Sequence, residues 1–168
     1  MAGRAPTPRP RAGVPGGSPT ARFAVVAARF NEAISKKLAD GAVSAFTEAG
    51  IAAGRVELHW VPGSFELPLA ALTLAKSRRV AGIACVGVVI KGGTPHFDYI
   101  CRETAAGIRA AALATGVPIG FGVITALTEE QAWERAGGAV GNRGEEAALA
   151  VLEMAGWLRA QRRPARRG

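Results

Sequence analysis

Gly92-Gly93-Thr94, followed closely by His96, closes an apolar run and opens a helical pattern, and no other segment of this 168-residue chain is so well equipped for chemistry. Glycines let successive backbone N–H groups turn toward one oxyanion, and the threonine hydroxyl adds a donor. A tight strand-to-helix turn with an ordinary cap accounts for the same residues without a ligand. His96, one of two histidines, lies between Pro95 and Phe97. A loop imidazole there can give and accept a proton near neutral pH. Alone it need not be catalytic; beside an anion cradle, proton transfer becomes a concrete role. His59 falls inside a strand pattern and reads as structural. Arg135 and Arg143 can meet phosphate oxygens bidentately, or can simply be solvated helix residues. Phe30 and Asn31 offer a ring and an amide to a flat heterocycle. Glu66 can accept hydrogen bonds from a polyol or amine, or serve only the dipole of a helix's first turn.

Several chemistries lack their signatures. Neither Gly-x-x-x-x-Gly-Lys-Ser/Thr nor Gly-x-Gly-x-x-Gly occurs after a strand, and Ser64 lacks the Gly-x-Ser-x-Gly context of a hydrolase nucleophile. Two histidines on different strands do not form a metal shell, so no metal is expected. Cys85 and Cys101 have no ligand spacing and read as reduced thiols of a cytoplasmic protein. The N-terminal stretch has no apolar h-region, which argues against a secretory signal, and the longest apolar runs are too short to span a bilayer, so no membrane partner is expected. The net charge of +8 invites a nucleic-acid reading. Its location argues otherwise. Arg4, Arg9 and Arg11 at one end and Arg159, Arg162, Arg163, Arg166 and Arg167 at the other equal the whole excess, so residues 21–158 are formally neutral. Aromatics that would stack on bases do not alternate with arginine.

The elements that must position these residues follow from periodicity. Residues 1–20 form a basic extension rich in proline and glycine with little to bury, expected to be disordered or draped over a neighbour. Residues 21–158 form one domain, and 159–168 a basic tail. Arg22–Ala28 reads as a strand buried on both faces. Asn31 reads as a cap for a helix carrying Ile34, Leu38, Ala42, Ala45 and Ala49. Val56–Val61 is a second strand, followed by a helix with Pro68 in its first turn. Ile83–Ile90 is the most apolar strand and therefore central. A helix from about Asp98 to Thr115, a strand at Ile119–Thr125, a short helix at Glu129–Gly137 and a last helix from Arg143 or Gly144 to Leu158 complete the chain. Strands and helices alternate four times with no hairpin signal. This predicts an α/β fold: a three-layer α/β/α sandwich around a four-stranded parallel sheet. Loops after the strands converge on the sheet's carboxyl edge, where open sheets bind ligands. A sheet this narrow, with alanine-rich helices, favours oligomerisation. The residues alone support a small phosphorylated ligand, an aromatic ring and a proton-transferring histidine, without naming a reaction.

Four motifs, in order, carry a resemblance. They are Ala28-Arg29-Phe30-Asn31, then Trp60 through Pro68, then Ile90-Lys91-Gly92-Gly93-Thr94-Pro95-His96-Phe97-Asp98-Tyr99, and last Glu134-Arg135-Ala136-Gly137 with Gly141-Asn142-Arg143-Gly144. From about Arg22 to Leu158 the chain resembles the lumazine synthase family, with its flavodoxin-like fold. The resemblance implies condensation of 5-amino-6-(D-ribitylamino)uracil with 3,4-dihydroxy-2-butanone 4-phosphate to 6,7-dimethyl-8-ribityllumazine, phosphate and water, without a cofactor. It implies that Phe30 stacks on the pyrimidine, whose polar edge meets the backbone of Val88, Val89 and Ile90. It places Asn31, Ser64, Phe65 and Glu66 on the ribityl chain, Gly93, Thr94 and Arg135 on the phosphate, and His96 at proton transfer. By the same resemblance, Phe121 is the position expected to enter from a neighbouring subunit, with Arg143 nearby. It further implies a homopentamer; the short loop between Gly137 and Arg143 is compatible with a shell of twelve pentamers, as many members form, and leaves pentamer and shell as alternatives, with riboflavin synthase the partner a shell could enclose.

Two positions depart from the family pattern: Arg143 stands where lysine is usual, and Leu127 where a polar or acidic residue is usual. Three rival readings stand at this level. One is a family member that mainly binds flavin-like ligands or acts as a carrier shell; another is an unrelated flavodoxin-like module whose basic ends engage nucleic acid. The third, a purely structural interaction protein, leaves the four convergent polar loops without a reason.

Overall fold

Six consecutive apolar residues, Phe23–Ala28, form strand β1, and every one of them is buried. A strand covered on both faces needs helices above and below it, and the rest of the chain supplies them. The structure, a computed structural model, describes residues 20–162. In chain order, β1 is followed by α1 (Glu32–Glu48), β2 (Val56–Val61), α2 (Leu67–Lys76), β3 (Gly82–Ile90), α3 (His96–Thr115) and β4 (Ile119–Ala126). A short α4 (Glu129–Glu134), a small hairpin of β5 (Ala136–Gly138) and β6 (Gly141–Asn142), and α5 (Arg143–Gln161) complete it.

The main sheet is parallel throughout, in the order β2-β1-β3-β4. Alternate residues of β1 point to opposite layers. Phe23, Val25 and Ala27 pack with α1 and α5, where the rings of Phe23 and Phe46 stack with centroids 4.9 Å apart. Ala24, Val26 and Ala28 pack with Leu67, Ala71 and Ala75 of α2 and Ile108 of α3. The result is the expected three-layer sandwich. β1 and β3 are its inner strands; β2 and β4 are its edges.

Asn142 ties the layer of α1 and α5 together. Its side-chain oxygen accepts from the N–H groups of Gly144 at 2.8 Å and Glu145 at 3.1 Å, capping α5. Its Nδ2 donates to the Lys37 carbonyl on α1 at 2.9 Å. Two glycines make room for this approach. A Cβ on Gly41 would lie 2.5 Å from the Asn142 side chain, and one on Gly144 would run into the Leu38 carbonyl.

Four local expectations need correction. Asn31 occupies the N-cap position of α1 in the left-handed conformation (φ 56), and its side chain caps nothing. Helix α3 begins at His96, two residues earlier than its hydrophobic pattern implies. The helix expected over Glu129–Gly137 stops at Glu134, and a hairpin follows where none was foreseen. Gly137 (φ 111) and Gly141 (φ 104) take backbone angles that L side chains resist, so the chain turns back instead of continuing the helix. Finally, α5 runs on to Gln161 and takes up the first residues of the basic tail. The expectations for residues 1–19 and 163–168 lie outside the described residues.

Overpacking at the α1–α5 contact should be costly. Gly144→Ala is expected to lower the unfolding free energy by about 1–3 kcal/mol in urea titration. An unchanged midpoint would show that the two helices do not meet this closely.

Candidate active site

The loops at the carboxyl edge are tied to one another by backbone bonds. Arg29 N–H donates to the Val61 carbonyl at 2.8 Å, and Phe30 N–H to that of Pro62 at 3.1 Å. The loop after β1 is thereby laid along the loop after β2. The left-handed turn at Asn31 then sends the chain into α1, where the Ser35 hydroxyl donates to the Phe30 carbonyl at 3.3 Å. Phe30 has its backbone held in this way, yet its ring is 71% exposed. After β2, Gly63 leads into a 3₁₀ turn, Ser64–Glu66, that buries Ser64 and exposes Phe65 and Glu66. The end of β3 is fastened to β4 by Lys91 N–H on the Ala126 carbonyl at 2.9 Å. Beyond it Gly92, Gly93 and Thr94 are exposed, and α3 starts without a side-chain cap.

These segments enclose a cavity of about 780 Å³. Phe30 contributes to its wall from the first loop, and Ser64, Phe65 and Glu66 from the second. Val88, Val89 and Ile90 contribute from the end of β3, and Thr94 and His96 from the loop and the first residue of α3. Nine of the fourteen expected site residues therefore meet in one place. Asn31 and Gly93 are chain neighbours of lining residues but not part of the wall. Phe97, Tyr99 and Ile100 also line the cavity and were not anticipated. The signal for the last two was available, because positions three and four after His96 share its helix face.

The remaining three expected residues are elsewhere. Phe121, Arg135 and Arg143 line a second cavity of about 490 Å³ along the outer edge of β4 and the start of α5. Arg143 N–H donates to the Arg135 carbonyl at 2.9 Å, which keeps the two arginines adjacent. The Arg135 guanidinium donates to the Gln131 carbonyl at 2.9 Å and lies 3.5 Å from Glu134. Arg143 pairs with Glu146, a lining residue three positions on that the sequence reading passed over. Within one chain, then, Arg135 does not share a cavity with Thr94. The loop after β4 joins neither wall; Gln131 folds it back by accepting from Leu127 N–H at 2.9 Å, and Leu127 stays exposed.

A model of the 6,7-dimethyl-8-ribityllumazine synthase family matches residues 20–159. The chain belongs to that family. It is thereby placed among the enzymes of lumazine formation, and the four-stranded parallel sandwich is the fold that goes with it. No helix among the described residues is long and apolar enough to cross a membrane, and no group of three or more metal-ligating side chains occurs among them.

Neither thiol of this family member is suited to nucleophilic work. Burial pushes Cys85 up to about 12. Cys101, on α3 behind His96, is raised above its ordinary 9.0 first by burial and then by the Asp98 carboxylate. A raised thiol pKa means less thiolate at any pH below it, so reactivity should climb only as the solution turns alkaline. Disulfide-exchange titration of the folded protein near neutral pH is expected to label Cys101 slowly and Cys85 not at all, with Cys85 appearing on denaturation. Rapid labelling of both would contradict this placement.

Proposed function

We propose that the chain condenses 5-amino-6-(D-ribitylamino)uracil with 3,4-dihydroxy-2-butanone 4-phosphate, forming 6,7-dimethyl-8-ribityllumazine, phosphate and water in riboflavin synthesis. Imine formation, phosphate elimination and ring closure need protons moved and two substrates held, not a redox group. Orientation of the bound pair can be worth up to ~7–11 kcal/mol of the barrier.

The observation that carries this reading is the company His96 keeps. Its cavity holds three largely exposed aromatic rings, Phe30 at 71%, Tyr99 at 58% and Phe65 at 57%, beside the Glu66 carboxylate. Exposed rings around one hollow suit a flat heterocycle. In our reading Phe30 stacks on the pyrimidine and the backbone of Val88, Val89 and Ile90 meets its polar edge. Asn31, Ser64, Phe65 and Glu66 hold the ribityl chain, and His96 transfers protons.

Gly92 and Gly93 support a phosphate role for the neighbouring loop. Neither has a positive φ, and a Cβ on either would meet nothing within 4 Å. The chain's own packing does not require glycine there. What glycine leaves open is close approach of a ligand to backbone N–H groups beside the uncapped start of α3. We assign the phosphate to Gly93 and Thr94, with Arg135 supplied by a neighbouring copy. Phe121 and Arg143 enter with it.

A head-to-tail ring of copies would bring the two cavities together, and we propose a homopentamer. The β4 side has apolar surface suited to such a contact. Phe121, Met154, Trp157 and Leu113 are 44%, 45%, 54% and 79% exposed, and a further apolar hollow of about 370 Å³ lies between Leu113, Ile119 and Met154.

Turnover with both substrates, followed by lumazine absorbance and phosphate release together, tests the reaction. His96→Ala is expected to slow it about 10²-fold to 10⁴-fold. Arg135→Ala is expected mainly to raise KM for the phosphorylated ketone. Binding of the ribitylaminouracil with no phosphate released above background would overturn the synthase reading.

A further inference from the structure

Thr104 behaves unlike other threonines in the helices of this chain. Thr47, Thr73 and Thr115 each donate their hydroxyl to the carbonyl four residues earlier, at 3.2, 2.8 and 2.7 Å. That is the ordinary resting place for a helical threonine hydroxyl. Thr104 is fully buried, and its hydroxyl instead leaves α3 and donates to the Ser64 carbonyl, forty residues away in sequence, at 3.2 Å. The same carbonyl already accepts from Leu67 N–H, the bond that closes the 3₁₀ turn. Among the described residues no other hydrogen bond joins α3 to the turn Ser64–Glu66.

The surroundings leave little slack. One helical turn beyond Thr104, a Cβ on Gly107 would lie 2.7 Å from the ring of Pro68, so α3 rests directly on the first turn of α2. On the other side, the Ser64 hydroxyl lies 2.9 Å from where a Cβ on Gly87 of β3 would be. The turn is wedged between β3 and α3, with Thr104 as its polar anchor. The two elements joined here are those that present His96 on one side of the cavity and Phe65 with Glu66 on another.

We propose that Thr104 is a positioning residue whose hydroxyl ties the helix bearing His96 to the turn bearing Phe65 and Glu66, and so sets the geometry of the ribityl side of the cavity. This rests on reading that cavity as the substrate site. Thr104 is not itself part of the cavity wall; it acts through the carbonyl of Ser64, which is. Loss of the hydroxyl leaves that carbonyl its bond from Leu67, so the fold should survive while the turn loosens.

Thr104→Val and Thr104→Ser separate this role from simple packing. In the valine variant, amide hydrogen exchange over Phe65–Leu67 is expected to accelerate about 5-fold, the worth of one ordinary hydrogen bond. KM for the ribitylaminouracil should rise by a similar factor, while KM for the phosphorylated ketone stays at its wild-type value. Binding of 5,6-diaminouracil, which lacks the ribityl chain, should not change. Serine, which keeps the hydroxyl, should restore both exchange and KM. Unchanged exchange in the valine variant, or an equal rise in both KM values, would overturn the proposal. Should the wild-type protein show no turnover, the synthase reading falls, yet the exchange difference between valine and serine still decides whether the tie exists.

Discussion

Parallel pairing of β1 with both of its neighbours is the constraint on which the rest of this structure depends. Strands that run the same way must all end at the same edge, and each return to the start must cross a face as a helix. From this follow the two covering layers, the burial of β1 on both sides, and the gathering of the loops after β1, β2 and β3 around one hollow. The same rule leaves β4 as an outer strand, with its far side open. The residues proposed for lumazine-synthase chemistry divide along that line. Nine sit on the inner hollow, and three sit beyond β4.

Rigidity at the cavity comes from its supports rather than from its lining. Phe30 and Phe65 are exposed, yet their backbones are fixed by bonds to Pro62 and within the turn at Gly63–Glu66. Thr104 anchors that turn from behind, and Asn142 holds the start of α5 against α1. A buried threonine and a half-buried asparagine, each with its partners met, thus brace the elements that present the exposed rings. This arrangement suits the proposed condensation, in which the site would accept two substrates and release a bulkier product.

The sheet was legible because its inner strands are continuous apolar runs bounded by turn residues, the pattern expected when both faces are covered. That His96, Phe30 and Glu66 would gather at one edge was legible from their places after strand ends. The hairpin at Ala136–Asn142 was not, since its strands have three and two residues and carry no alternation. Asn31 has the right residue type for a cap, but the turn that aims Phe30 at the cavity claims its backbone for the left-handed region. The separation of the expected site residues into two hollows was beyond any local pattern, because it depends on which strand lies at the edge. The link from Thr104 to Ser64 was hidden for a similar reason: it joins residues forty apart that share no motif.

The proposed site, divided in this way, would make each copy dependent on its neighbour, and mixing two defective chains tests that most directly. Assemblies refolded or co-expressed from equal amounts of His96→Ala and Arg135→Ala chains would contain sites that draw His96 from one intact donor and Arg135 from another. Random mixing around a head-to-tail ring predicts recovery of about one quarter of wild-type activity, although each variant alone is impaired. Activity of the mixture no greater than the average of the two variants would contradict a shared site and would require both residues to act within one chain.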